Sequence, residues 1–214
     1  MDDQYYILED GEQTGPYTLE ELIEKEPDIH TRVLSPEENA WRDACDLPEL
    51  YDYFRELGYY FPTEDNLASF WIRLGAFIID IILVSFIADF IIAILASRGL
   101  LPSLQTLGNM QALSKIPSRQ LILLQVVIYL TLIAYNTIGE ASAMQGSLGK
   151  RICGLVVVNA DGEGISFPNA LARSLGKVVS LNFWCLGFVS IFFTDHKQAV
   201  HDLIAKTYVI RRNA

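Results

Sequence analysis

Arg73 and Asp80 stand seven residues apart in SFWIRLGAFIID, which opens an apolar run reaching Leu95 with Asp89 as its only other charge. At 100° per residue, seven positions return to within about 20° of the same side of a helix, so a guanidinium and a carboxylate share one face. They lie about 10 Å apart along the axis, and a direct salt bridge would require Arg73 to reach inward. Arg73 is close enough to the edge of the run to snorkel out of an apolar medium. Asp80 is two turns deeper on a short side chain, and must be paired, protonated or wetted, because an isolated carboxylate in that setting costs several kcal/mol. A carboxylate so placed suits proton or cation exchange. Asp89, nine positions on and about 180° around, belongs to the opposite face near the other end.

Further polar groups recur where apolar residues dominate. Gln125, Tyr129, Asn136 and Glu140 fall within roughly 60° of one another on a helical wheel. Such a stripe faces protein or water, with the Arg73 and Asp80 face as the obvious partner, either as interhelical glue or as part of a functional cluster. His201 and Asp202 place an imidazole beside a carboxylate, a combination able to relay protons near pH 7. Adjacent helical residues do not face each other, so Asp202 is equally available to cap a short helix or to pair with Arg73, Arg173 or Lys206. The candidate membrane cluster is thus Arg73, Asp80, Asp202, Gln125 and Asn136, with Asp89, Glu140, His201 and Arg173 in second rank.

Other chemistries find little support. Three histidines and unclustered acids argue against a metal site. GSLGKR is not a phosphate-binding loop, since Met144 stands where the first glycine is required and Arg151 where Ser or Thr must hold magnesium. No nucleophile stands with a base at recognisable spacing, so neither an enzyme nor a cofactor is expected.

The elements that must position these residues follow from hydropathy. Phe70–Leu95, about 26 residues, exceeds the ~20 needed to cross a bilayer core, and Phe70 and Trp71 suit its interface. A helix is expected over 69–97 and a second over 119–140. Gly99, Pro102, Gly108 and Pro117 break the connector between them. Ile152–Val158 has strand composition and Asp161-Gly162 signals a tight turn, predicting a short cytoplasmic β-hairpin over 150–167. Helical segments are expected at 168–194 and 197–206. Val178–Phe193 is apolar, yet cations flank both ends, which one crossing cannot satisfy. A re-entrant or interfacial helical hairpin breaking around Asn182–Gly187 removes that conflict, and a third span is the alternative.

Charge divides the 214-residue chain. Residues 1–68 carry 19 of its 26 acidic residues and 4 of its 16 basic ones, which predicts two bodies and disfavours nucleic acid as a partner. Cys45, Cys153 and Cys185 form no CxxC pair and read as reduced thiols. The N-terminus lacks the features of a secretory signal and is expected to stay in the cytoplasm. Residues 1–55 predict a small soluble α+β domain, with a strand at Tyr5–Leu8, a capping box of Thr18 and Glu21, a strand near Thr31–Leu34, and Trp41, Ala44, Leu47 and Leu50 as core. Residues 56–68 read as a linker.

YYILEDGEQTGPYTLEELI, with Thr31-Arg32-Val33, Trp41 and DLPEL, resembles the bacterial relatives of the GYF domain. That resemblance implies an aromatic patch, with Tyr6, Tyr17 and Trp41 as candidates, able to bind a proline-rich or extended peptide. SFWIRLGAFIID, GSLGKRICGLVVVNADGEGISFPNALARSLGK and QAVHDLIAKTYVI, within residues 69–212, resemble the RDD family of small bacterial membrane proteins. The family's naming residues fall on Arg73, Asp80 and Asp202, and some members are linked to cation or proton exchange. The combined expectation is an α-helical integral membrane protein of two or three spans in the bacterial inner membrane, behind a cytoplasmic GYF-like domain. The lipid bilayer is its first partner. Transport would require a homo-oligomer, because two or so spans cannot enclose a pathway; a membrane-anchored adaptor is the other reading.

Overall fold

A computed structural model describes residues 4–9, 11–36, 40–182 and 186–212. They form two compact units, one of residues up to Pro62 with Val158–Glu163, the other of Thr63–Val157 with Gly164 onward.

In the first unit, β1 (Tyr5–Glu9), β2 (Glu12–Tyr17), β3 (Arg32–Leu34) and β4 (Trp41–Asp43) form an antiparallel sheet in the order β2-β1-β3-β4. Helix α1 (Leu19–Glu24) starts at the expected capping box: Glu21 N–H donates to Thr18 Oγ1 at 3.3 Å and Thr18 N–H to Glu21 Oε2 at 2.9 Å. Strand alternation turns Tyr5, Ile7 and Val33 inward against Leu22, Ala44, Leu47, Leu50 and Phe54 of α2 (Tyr51–Glu56). Trp41 corrects the expected core, because it sits half-buried on the other face. Tyr6 pairs with Leu34 and Leu34 with Trp41, and directly opposed residues share a face, so these three make an outward row. The stretch read as a linker, 56–68, is structured: Tyr59 and Phe61 pack on the core, and Tyr60 N–H donates to Gly162 O at 2.8 Å.

Among the described residues the second unit contains two helices long and apolar enough to cross a membrane, α3 (Phe70–Ser97) and, after α4 (Leu104–Leu107) and α5 (Met110–Leu113), α6 (Ser118–Ala141). α3 stops where Gly99, at φ +73°, lets Leu100 N–H reach back to Leu95 O at 3.0 Å. It buries a narrow stripe of Ala76, Asp80, Val84, Ala88 and Ile92, and exposes Ile78, Ile82, Phe86 and Phe90. Beyond α6 come α7 (Leu148–Ile152), β5 (Leu155–Val158), α8 (Phe167–Asn182), α9 (Leu186–Val189), α10 (Val200–Ala205) and β6 (Tyr208–Arg211).

One expectation changes here. The hairpin over 150–167 does not form, since Ile165–Phe167 is no strand and β5 pairs instead with the distant β6. The stretch 178–193 belongs to α8, α9 and a 3-10 turn at Ser190–Phe192, with residues 183–185, including Cys185, outside the described ones. Gly187 approaches Ser180 so closely that a Cβ at 187 would collide with its hydroxyl, so the chain has turned back on α8.

The short helices invert the usual amphipathic order. α8 buries Arg173, Ser174, Lys177 and Ser180 and exposes Leu175 and Val179. α10 buries His201 and Asp202 and exposes Leu203 and Ile204. Polar-in, apolar-out helices are stable where the surroundings are themselves apolar.

Candidate functional site

The buried polar faces of α6, α8 and α10 meet α3 and α7 in one ion network. Asp202 is its first centre. One oxygen, Oδ2, accepts from Arg73 Nη1 at 2.8 Å and from Ala199 N–H at 3.1 Å, the second contact tying down the first turn of α10. The other, Oδ1, accepts from Arg173 Nε at 2.9 Å and from Arg173 Nη2, with His201 Nε2 at 3.3 Å. Arg73 also donates to the carbonyls of Ala68 and Val209, at 3.1 and 3.2 Å, joining α3 to the β6 end of the body.

Glu140, fully buried near the end of α6, is the second centre. Lys150 Nζ and Lys177 Nζ both donate to its Oε1 at 2.5 Å, and Lys177 donates also to Asn136 Oδ1 at 2.8 Å. Arg173 Nη1 lies 2.9 Å from Glu140 Oε2 without hydrogen-bond geometry, so one guanidinium bridges both carboxylates. Thr137 donates to Ser174 Oγ at 3.1 Å and fixes α6 against α8.

Burial and pairing set the protonation states. Against the cost of burial, Arg173 and Arg73 hold the Asp202 carboxyl well below the ordinary range. The same two carboxylates keep Arg173 firmly charged although burial opposes it. Burial pushes His201 down to about 3, with Arg173 and the lysines reinforcing that and Asp202 opposing it, so its ring is neutral at pH 7. Lys150 is pushed down to about 7 by burial and the charge on Arg173, against the attraction of Glu140.

Asp80 is settled separately. Its Oδ1 accepts from Tyr135 Oη at 2.7 Å and Gly149 N–H at 2.8 Å, and its Oδ2 from Ser147 Oγ at 2.5 Å. The carboxylate thus closes the N-terminus of α7. Glycine is required at 149 because a Cβ there would come 2.7 Å from Asp80 Oδ1. Beside the network lies a cavity of about 150 Å³, its lining predominantly apolar and including Phe70, Leu74, Phe77, Leu181 and Phe188 together with Arg73, Arg173, Lys177 and His201 of the network.

The RDD family model matches residues 67–206, a stretch that holds the whole network. This chain belongs to the RDD family. A GYF domain 2 model matches residues 5–50. Uncharacterized protein YxaI of Bacillus subtilis (strain 168) is 34% identical over 146 residues, covering 67% of this chain and 96% of YxaI. Uncharacterized protein YckC of the same strain is 32% identical over 148 residues, covering 66% of this chain and 83% of YckC. No solved structure matches the chain.

In this RDD protein Arg73, Asp202, Arg173, Glu140, His201 and Asn136 come together, while the other candidates do not. Asp80 does not pair with Arg73: the shared helical face is real, but Arg73 turns to Asp202 and Asp80 to α7. The polar stripe of α6 splits, and its main partner is α8 rather than the Arg73 face. Gln125 donates to Tyr129 Oη at 2.8 Å, and Tyr129 donates to Asn182 Oδ1 at 2.8 Å, apart from the ions. Asp89 is exposed on α3. Lys206 does not join Asp202; its backbone caps α10 instead. Sequence reasoning missed Lys150 and Lys177 as site residues, although Arg173-x3-Lys177 spacing on a helix with Ser174 and Ser180 marks one polar face. Of the aromatic candidates, Tyr17 packs on the first unit's core with Lys25 Nζ 5.5 Å from its ring centre, leaving Tyr6 and Trp41 on the outward row.

Proposed function

We propose that this RDD protein is not an enzyme but a multi-pass protein of the bacterial inner membrane, its N-terminal unit cytoplasmic, that moves a proton or ion through the Glu140–Arg173–Asp202 network. One observation carries this reading: four cations and two carboxylates from five helices, all but Arg73 and Lys150 fully withdrawn, gather beside a cavity in a body whose outer faces are apolar. Buried charge costs several kcal/mol per group, and ionisable groups at membrane depth mark ion pathways. Lys150 supplies a group that gains and loses a proton at neutral pH. Two long apolar helices cannot enclose a path alone, so the working form is an oligomer, with exposed faces of α3 and α6 between subunits. The test is proton flux into vesicles reconstituted with the purified protein, under imposed sodium, potassium and anion gradients. Lys150→Met abolishes the flux while insertion is retained; a parent protein that carries no flux under any gradient sinks the reading.

The outward row of Tyr6, Leu34 and Trp41 favours a second reading, a membrane-anchored adaptor. Flat aromatic surfaces suit stiff, proline-rich chains. The full chain in detergent then binds such a peptide and loses it on Trp41→Ala with its melting curve unchanged; no binding across a proline-rich panel removes this reading.

A further inference from the structure

The network is not neutral. Arg73, Lys150, Arg173 and Lys177 bring four cationic heads to Glu140 and Asp202. Asp80 adds a third carboxylate to the cavity wall, and it accepts from Tyr135, Ser147 and Gly149 rather than from a cation. With Lys150 protonated, one positive charge is left over even when Asp80 is counted, in a place with little water to screen it.

The cavity beside it says what would balance that charge, for Arg73, Arg173 and Lys177 are among its lining residues. The rest of the cavity is built from Phe70, Leu74, Phe77, Leu132, Leu181 and Phe188, with Ile81, an exposed side chain of α3, among its lining. A small hydrated anion would pair with the cations but gain nothing from those walls; an apolar molecule would fill the walls but leave the charge unmatched. A volume near 150 Å³ holds about one ring-sized group. Basic pockets among membrane helices are suited to acidic lipid groups.

We propose that this cavity binds an amphipathic anion, its acid group against Arg73, Arg173 and Lys177 and its hydrocarbon along Phe77, Leu181 and Phe188. The proposal rests on reading the network as a ligand site, and it names the class of solute. The acid can come from a bilayer phospholipid or from a free fatty carboxylate, and the shared chemistry is a single anionic head on a hydrocarbon chain.

Thermal unfolding of the purified full chain tests it. In zwitterionic detergent, dodecanoate raises the transition by about 5 °C, whereas acetate, inorganic phosphate and dodecanol each leave it within 1 °C. In nanodiscs, phosphatidylglycerol in place of phosphatidylcholine gives the same rise if the source is the bilayer; a rise with dodecanoate alone assigns the free acid. Filling the cavity with Phe77→Trp removes the dodecanoate response while keeping the ligand-free transition, and Leu181→Phe serves from the opposite wall should the first variant not fold. The proposal is overturned if neither dodecanoate nor phosphatidylglycerol stabilises, if dodecanol matches dodecanoate, or if acetate or phosphate does. Ion flux without any such stabilisation leaves the transport reading standing alone, and stabilisation without flux leaves the site standing alone.

Discussion

In the first unit the side chains withdrawn from solvent are Ile7, Leu22, Val33, Leu50 and Phe54, while Glu9, Glu20 and Arg42 lie outside. In the body the helices withdraw Arg173, Glu140, Lys177 and Asp202, while Phe86, Phe90, Leu175 and Ile204 lie outside. The same residue types are thus sorted in opposite directions within one chain. For the first unit water is the surrounding medium, and apolar burial at about 25 cal/mol per Å² drives the sorting. The body, with two helices apolar enough to cross a membrane, has outer faces suited to hydrocarbon; there apolar burial gains little, and cohesion falls to ion pairs, hydrogen bonds and close packing. Charge that would be a solvated ornament in the first unit becomes the interior of the second.

This contrast can be broken most directly at Arg173. Arg173→Met strands both Glu140 and Asp202, and a loss of about 3–5 kcal/mol is expected from thermal or denaturant unfolding in detergent. A loss no larger than that of an exposed arginine would show that the body's charges are not its core. Next in size is Gly149→Ala, whose methyl meets Asp80 and the backbone of α3, with an expected loss of about 1–3 kcal/mol. Tyr135→Phe removes one of Asp80's three donors and should cost about 1 kcal/mol by the same measurement. At the small end, Asp43→Asn in the first unit weakens an exposed contact to Arg32, 3.3 Å long with Arg32 53% exposed, and should change stability by less than about 1 kcal/mol.

The pH profile sharpens the same point. Lys150 holds its proton less tightly folded, near 7, than unfolded, at its ordinary 10.5. Between those values the unfolded chain binds more protons, so stability rises with pH across that window, and Lys150→Met should flatten the rise. His201 follows the same sign lower down: neutral when folded until about pH 3 and ordinarily titrating at 6.5, it makes stability fall as pH drops through that interval. Melting temperatures measured from pH 4 to 10 in parent and variant check both slopes.

Local signals were legible in the sequence. The Thr18–Glu21 capping box, the strand expected over Tyr5–Leu8 and found one residue longer, and the length of α3 each depend on residues within a few positions of one another, and they form. What sequence alone misplaced was set by distant partners. Asp80 and Arg73 do share a helical face, but Ser147 and Gly149, 67 and 69 residues from Asp80, take the carboxylate. Lys150 and Lys177 read as cytoplasmic flank charges until Glu140 comes within 2.5 Å. Of the stretch Ile152–Val158 read as strand only Leu155–Val158 is one, Ile152 ending α7, and that strand's partner β6 lies beyond α8 and α10, where no turn signal reaches. Trp41 was expected inside on hydrophobicity, and strand register alone put it outside.

Asp202 also imposes an order on biosynthesis. Arg73 lies 129 residues before it and Arg173 29 residues before it, so this carboxylate cannot tie α3 to α8 until α10 has been made and docked.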